Sequence, residues 1–192
     1  YYSVRSLTSL LQRHGYRIFR VRRIPTHGGS IRVYAARDGA RAPDGSVEAM
    51  AAEEEGLHAG SPLLREFRQR VMMSKLALHA LLHELKRAGA GIGGIGAPSR
   101  ASTLITYVGL DDGILECVYE VKGSSKIGRC MPGTAIPVLE ESGLYAEQPE
   151  YALLLSWHLA EELSPKLKAQ GYRGDFIIPL PAPRILRSTE VP

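Results

Sequence analysis

The pattern of apolar and polar positions at the start of the chain changes from helical spacing to alternation. Between Ser3 and Gly15, apolar residues recur every three or four positions, which predicts a short helix capped by the serine and ended by the glycine. Two strand-like runs follow, Tyr16–Ile24 and Ser30–Arg37, separated by a segment rich in proline and glycine. These runs predict a hairpin or two neighbouring antiparallel strands.

Beyond residue 37 the pattern predicts a linker and then an alternating α/β region. Residues 38–60 are rich in Gly, Ala, Pro and acidic side chains, which indicates a linker that could include some helix. A long helix is expected from Ser61 to about Arg87, with Pro62 in its first turn. Strands are then expected over 91–96, 115–119, 151–155 and 176–180, with helices over 103–110 and 159–170.

This alternation of strands and helices predicts the fold class. Residues 61–181 are expected to form a Rossmann-like, doubly wound, mostly parallel sheet, because consecutive parallel strands need crossover helices. Residues 182–192 are expected to be a tail.

Composition and charge narrow the classes of function. The chain has 192 residues, 44% of them hydrophobic, which is enough for a packed core, and its net charge is +4. The only dense basic group, Arg17, Arg20, Arg22 and Arg23, alternates with apolar residues. That alternation is typical of the solvated face of a strand, so no nucleic-acid partner is expected, although the charge suits an anionic small molecule.

Cysteine and histidine usage predicts no metal site in this chain. Cys117 and Cys130 are too few for a disulfide framework or a zinc cluster, and a reducing, cytoplasmic setting is expected. His79 and His83 have helical spacing, but Ala80 stands where a zinc-protease motif needs Glu.

The ends and the apolar runs of the sequence add two expectations. No apolar run approaches the roughly 20 residues that span a bilayer, so no membrane partner is expected. The start at Tyr1, with no methionine or signal pattern, suggests that the chain begins inside a longer protein.

Residues 89–94 match the dinucleotide pattern G-x-G-x-x-G, but in the wrong context. The fingerprint must follow a strand and open a helix. Here it follows the long predicted helix and overlaps a predicted strand, so its glycines are expected to allow close packing.

A better candidate ligand site lies where the first predicted parallel strand ends and a helix begins. Backbone N–H groups and the helix dipole converge on anions at such a place, and hydroxyl and guanidinium groups stand nearby. An ordinary helix cap is the equally weighted alternative. The candidate residues are Gly96, Ala97, Ser99, Arg100, Ser102 and Thr103.

Further candidates follow the carboxyl ends of later strands, where ligands bind in such sheets. Glu120 stands about 20 residues after the loop, a position typical of an acid that contacts ribose, although an exposed Glu is the commoner case. The others lie in two polar segments, and solvated loop charge is the alternative for the first. They are Lys126, Arg129, Pro132, Gly133 and Thr134, and then Trp157 and His158.

Two stretches together resemble a known family. Residues 1–37, with Ser-Leu-x-x-Leu-Leu-x-x-x-Gly and then Pro-Thr-His-Gly-Gly-Ser-Ile-Arg-Val-Tyr, resemble the last helix and two closing strands of a class I methyltransferase domain. Residues 94–181 carry Lys-x-Gly-Arg, Pro-Gly-Thr-Ala-Ile-Pro, Pro-Glu-Tyr-Ala-Leu-Leu-Leu-Ser-Trp and Tyr-Arg-Gly-Asp-Phe-Ile-Ile-Pro-Leu-Pro in that order. This region resembles the C-terminal domain of the sugar C-methyltransferases, which include NDP-hexose 3-C-methyltransferases.

The resemblance implies a three-part enzyme that methylates a ring carbon of an NDP-keto-deoxysugar with S-adenosylmethionine. A zinc-binding module and the donor domain would precede a Rossmann-like domain, and the nucleotide sugar would lie between the last two. In such an enzyme a base would abstract a proton beside a keto group, and the enolate carbon would attack the methyl group of the sulfonium, whose sulfur would leave as a thioether. The zinc cysteines, the donor glycine loop and the Glu-His pair of the family would all lie upstream of Tyr1.

The resemblance therefore implies that this chain holds the substrate side and is inactive alone. The segment His27, Gly28, Gly29 and Ser30 is a candidate for facing the active site, with an inert hairpin loop as the alternative. Glu120 departs from the family pattern, which has Asp there and a Lys five rather than six positions later. The competing hypothesis is a non-catalytic Rossmann-like module that binds NAD or serves for docking.

Overall fold

The structure, a computed structural model, describes residues 1–26 and 29–191. The chain falls into two units, Tyr1–Gln69 and Arg70–Pro192. Helix α3 (Pro62–Arg87) begins in the first unit and ends in the second. Within the described residues, no helix is both long enough and apolar enough to cross a membrane.

The first unit is a hairpin packed against two helices. Its elements are α1 (Val4–Gln12), β1 (Tyr16–Ile24), β2 (Ser30–Arg37) and α2 (Gly45–Glu53). The strands pair antiparallel with a bulge between Ile18 and Arg20, and Ile18 and Val21 pack with Val4 of α1 and Met50 of α2. The helix and the two strands predicted from the sequence are present, and α2 lies in the segment predicted as a linker.

The second unit is built around a six-stranded sheet. Its strand order is β5-β4-β3-β6-β7-β8, with all pairs parallel except the last. The Rossmann-like, mostly parallel sheet predicted from the sequence is thereby confirmed. The elements after α3 are β3 (Ile92–Ile95), α4 (Ser99–Val108), β4 (Cys117–Glu120), β5 (Val138–Glu140), α5 (Ser142–Glu147), β6 (Tyr151–Leu154), α6 (Ala160–Ala169), β7 (Asp175–Ile178) and β8 (Arg184–Leu186).

Helices cover both faces of this sheet. On one face, Leu78 and Leu82 of α3 and Ile105 of α4 pack in one buried cluster. On the other, Leu144 of α5 and Leu167 of α6 pack in a second cluster. Successive strand residues alternate between the two clusters, as the period of a β-strand requires.

Three short elements and one boundary differ from the sequence-based prediction. β5, α5 and β8 were not predicted, since each has only three to six residues and too little pattern to detect. β8 lies in the segment expected to be a tail. α4 begins at Ser99 rather than 103, directly after Pro98. It ends at Val108, and Gly109 is its C-cap, with a φ of 84° that is typical of this position.

Candidate ligand-binding crevice

A crevice opens where the connections of the sheet change direction. After β3 the chain crosses to β4, whereas after β6 it crosses to β7 on the opposite side. Because the two loops diverge, a gap forms at the carboxyl ends of β3 and β6, where ligands of doubly wound folds bind. The crevice measures about 240 Å³ and contains residues from both loops, among them Gly96, Ala97 and Ser156.

Close backbone packing at Gly96 requires a glycine. Its φ is 79°, in the left-handed region, and a Cβ at this position would lie 3.1 Å from Ser156 Oγ. The Gly96 N–H donates to the carbonyl of Tyr119 at 2.8 Å. The loop after β3 is therefore drawn close to the carboxyl end of β4 and to the segment that follows β6.

Glu120 and Lys126 hold the peptide groups of Ala97 from two sides. The Ala97 N–H donates to Glu120 Oε2 at 2.6 Å, and Lys126 Nζ donates to the Ala97 carbonyl at 2.6 Å. The other oxygen of Glu120 accepts the Val121 N–H at 3.3 Å. Both charged side chains line the crevice, but in this structure their contacts position its loop.

The first turn of α4 has neither a side-chain cap nor an acidic residue. Pro98 is the N-cap and makes no side-chain cap hydrogen bond, and no acidic residue lies in the first turn. Ser102 Oγ donates to the carbonyl of Ser99 at 2.7 Å, and Thr103 is exposed. The positive end of the helix dipole is therefore not offset by a carboxylate of this turn.

Arg100 of α4 and Trp157, which follows β6, approach each other beside the crevice. The Arg100 guanidinium carbon lies 6.0 Å from the centre of the Trp157 ring, at the limit of a cation–π contact. Trp157 in turn meets His158 edge to face at 6.3 Å. All three lie beside the crevice residues along the chain, but none of them lines the crevice itself.

The remaining predicted residues of the second unit lie elsewhere. Arg129 is exposed, and its carbonyl accepts the Val138 N–H at 2.7 Å. Pro132, Gly133 and Thr134 form a turn that precedes β5, where Thr134 Oγ1 donates to the Met131 carbonyl at 2.9 Å. Since β5 runs parallel to β4, this turn is at the amino end of the strand, away from the crevice.

In the first unit, the structure describes half of the predicted loop site. His27 and Gly28 lie outside the described residues. Gly29 has a φ of 117°, and its N–H donates to the Thr26 carbonyl at 3.1 Å. Ser30 Oγ donates to the same carbonyl at 3.0 Å and begins β2.

The far wall of the crevice was missed by sequence reasoning. α6 supplies Leu163, Lys166 and Leu167, and the turn before it supplies Leu159. The amphipathic pattern of 159–170 predicted the helix, but periodicity does not indicate which neighbouring loop a helix faces.

The charges in the crevice are mixed. Two carboxylates, Glu120 and Glu141, stand with two ammonium groups, Lys126 and Lys166. The Tyr145 hydroxyl donates to Glu141 Oε1 at 2.9 Å. The pKa of Tyr145 is raised, mainly because the phenol is buried and to a smaller extent because of this hydrogen bond. The crevice thus combines apolar walls with two carboxylates and two ammonium groups.

The glycine-rich pattern at 89–94 has no ligand-binding geometry. Gly89 follows the end of α3 and has a φ of 88°, and Gly93 and Gly94 lie inside β3. As predicted, the pattern covers a helix end and a strand rather than a strand-to-helix loop. Across residues 1–26 and 29–191, no group of three or more His, Cys, Asp or Glu residues could hold a metal ion.

The fold defines a Rossmann-like α/β domain, and comparison with known proteins identifies its family. Residues 25–181 match the family model described as the C-methyltransferase C-terminal domain. The chain is also 32% identical over 195 residues to C-methyltransferase NovU from Streptomyces niveus, an alignment that covers 97% of this chain. The chain belongs to this C-methyltransferase family, as its motifs indicated.

The chain spans less than half the length of that relative. The alignment covers 45% of NovU.

Proposed function

We propose that this chain is the substrate-side part of an S-adenosylmethionine-dependent C-methyltransferase that methylates a ring carbon of an NDP-keto-deoxysugar. The family supports the reaction class. The observation that carries the assignment of the substrate side is the crevice between the loops after β3 and β6, the place where nucleotides bind in this fold.

The size of the crevice suits one end of a nucleotide sugar. At about 240 Å³ it is smaller than the roughly 300–1,000 Å³ of pockets that enclose a whole drug-sized ligand. Leu159, Leu163 and Leu167 offer apolar contact to the nucleotide base. The diphosphate would meet the first turn of α4, where backbone N–H groups and Arg100 favour negative charge.

Glu120 and Lys126 are assigned a positioning role in this proposal. Both oxygens of Glu120 already accept backbone N–H groups, and the Lys126 ammonium is bound to the Ala97 carbonyl. The proposal therefore gives Glu120 no contact with the ribose. The two residues would keep the loop of residues 96–98 in the shape that the nucleotide meets.

The described loop does not fit a methyl-donor site. The glycine pattern at 89–94 lies at a helix end and inside β3 rather than in a strand-to-helix loop, where a dinucleotide-type glycine loop must lie. We therefore assign S-adenosylmethionine, the catalytic base and the zinc module to the remainder of a longer protein. Bound there, S-adenosylmethionine would supply the methyl group, and this chain would bind and orient the sugar nucleotide.

Calorimetric titration of this chain with thymidine diphosphate tests the proposal. We expect saturable heat below millimolar ligand and a loss of at least tenfold in affinity for Leu163→Glu, because a carboxylate would enter the apolar wall. The matched control is Leu76→Glu, at an exposed leucine of α3 outside the crevice. In methyl-transfer assays of the longer protein, Leu163→Glu should raise KM for the sugar nucleotide. Leu76→Glu should leave this KM unchanged.

Two outcomes would contradict the proposal. Absence of heat at millimolar thymidine diphosphate would exclude the nucleotide site in this chain. Saturable NAD binding without a response to the diphosphate would favour the non-catalytic module instead.

A further inference from the structure

Two arginines stand directly opposite each other on the hairpin of the first unit. Arg22 of β1 pairs in register with Arg32 of β2, two residues along from the pair Arg20 and Tyr34. Side chains in such positions lie about 5 Å apart at their Cβ atoms, so like charges repel and weaken the sheet.

The pair lies on the face of the hairpin that turns away from the helices. Val21 packs in the core of the first unit, and Ile31 and Val33 pack against that core. Because side chains alternate along a strand, Arg22 and Arg32 lie on the other face, and both are exposed.

Neighbouring arginines are neutralised, but this pair is not. Arg20 forms an ion pair with Asp44 at 3.5 Å, and Arg23 forms one with Glu53. No ion pair within the described residues involves Arg22 or Arg32. Two guanidinium groups therefore remain without a carboxylate on one face.

Tyr34 places a hydroxyl beside them. Hydrogen bonding from Arg32 is the largest influence on the phenol and lowers the pKa of Tyr34; burial opposes it, and Arg22 lowers the pKa further. The Tyr34 ring is held by a tilted contact with Phe19, with ring centres 6.2 Å apart. Tyr34 lies two residues from Arg32 on β2 and therefore on the same face of the hairpin as the two arginines.

We propose that Arg22, Arg32 and the hydroxyl of Tyr34 form a binding site for a phosphate-type oxyanion. Guanidinium groups match phosphate with paired, charge-assisted hydrogen bonds, and the phenol adds a third donor. A bound dianion would also remove the repulsion between the two arginines. The chemistry fits a free diphosphate or the diphosphate of a nucleotide, and all three residues belong to the first unit.

Titration of the chain with pyrophosphate, thymidine diphosphate and thymidine tests this site. We expect both diphosphates to bind and at least tenfold weaker pyrophosphate binding by Arg22→Gln and by Arg32→Gln. Arg5→Gln, at an exposed arginine of α1, is the matched control and should bind as the parent does. Pyrophosphate binding should survive Leu163→Glu, which separates this site from the proposed crevice site.

Two further readouts distinguish binding from a structural role. Bound anion offsets the arginine charges, so pyrophosphate should raise the pKa of Tyr34, measured by ultraviolet titration against Tyr34→Phe. Arg32→Glu should raise Tm, since it creates an opposite-charge pair with Arg22, and should abolish pyrophosphate binding.

Other results would overturn the inference. These are pyrophosphate binding unchanged in both glutamine variants, or a Tyr34 pKa that does not respond to pyrophosphate. Affinity that increases with the length of a DNA oligonucleotide, with no saturable pyrophosphate binding, would instead make this face a nucleic-acid surface.

Discussion

Gly93 lies against the ring of Tyr119, and no side chain fits between them. A Cβ at position 93 would stand 2.7 Å from Tyr119 Cε2, and a Cβ at Gly143 would stand 3.0 Å from the opposite side of the ring. The buried ring is fixed by its hydroxyl, which donates to Glu147 Oε2 at 2.6 Å. A glycine that formally belongs to a nucleotide-binding pattern therefore serves the packing of an aromatic residue.

Gly93→Ala should destabilise the second unit. The added methyl group must displace a buried ring, and overpacking of this kind costs about 1–3 kcal/mol. Chemical denaturation should show the loss, and Tyr119→Leu should rescue part of it in the double variant. Gly45→Ala is the control, because a Cβ there meets no atom within 4 Å. Equal stability of Gly93→Ala and the parent would contradict this account.

Glu120→Ala should weaken both stability and nucleotide binding. It leaves the nearly buried Ala97 N–H without its acceptor, which costs about 1–3 kcal/mol in unfolding free energy. Glu120→Gln keeps an acceptor oxygen and should retain most of the stability. Unfolding by urea and calorimetry with thymidine diphosphate measure the two effects. If Glu120→Ala binds the diphosphate normally, the loop does not depend on this contact.

Glu150 should make stability depend on pH in the acid range. Its Oε2 accepts the Gly91 N–H at 2.6 Å, and this bond is the main reason that the pKa of Glu150 is lowered from 4.5. A carboxyl whose pKa is depressed by folding stabilises the protein fully above its unfolded pKa, and this contribution is lost as pH falls through the folded pKa.

The corresponding measurement compares the parent with Glu150→Gln. The difference in unfolding free energy should be present at pH 7 and should shrink as pH falls below about 4.5. Glu161→Gln, an exposed residue of α6, should show no such change. A difference that stays constant down to pH 3 would contradict the role of the Gly91 contact.

Lys168→Met should increase the mobility of residues 184–191. Lys168 Nζ donates to the carbonyls of Arg173 and Gly174 at 3.0 and 2.8 Å and also contacts Ser188 Oγ. Burial lowers the pKa of this lysine, although nearby Asp175 opposes the shift. Hydrogen exchange over residues 184–191 should become faster, whereas Lys122→Met, at an exposed loop lysine, should leave it unchanged. Unchanged exchange in Lys168→Met would show that other contacts hold this segment.

Several parts of the fold could be predicted because their signals are local. The apolar run at 151–155 and the alternation at 16–24 are each sufficient to predict a strand, since the period of side chains is fixed by backbone geometry. By contrast, β8 pairs with β7 through only three residues, and its pairing depends on the sheet already being in place.

Part of the candidate site could also be predicted from local signals, because ligand-binding loops follow the carboxyl ends of strands. Gly96, Ala97, Glu120 and Lys126 follow strands in the sequence, and the structure brings all four to the crevice. Pro132, Gly133 and Thr134 also lie between strands, but they precede β5 and so lie at its opposite end. The order of residues along the chain does not show whether a loop residue lies at the carboxyl or the amino end of the sheet's strands, because that depends on where the next strand begins.

The sequence by itself determined the alternation of strands and helices, the glycines that cannot belong to a nucleotide fingerprint, and the motifs of the family. These depend on residue spacing and backbone geometry, which act over a few residues. Only the tertiary structure decided that α6 forms the far wall of the crevice, that Glu120 binds Ala97, and that Arg22 stands opposite Arg32. Such contacts join residues distant in the chain, and strand order, register and helix rotation fix them together.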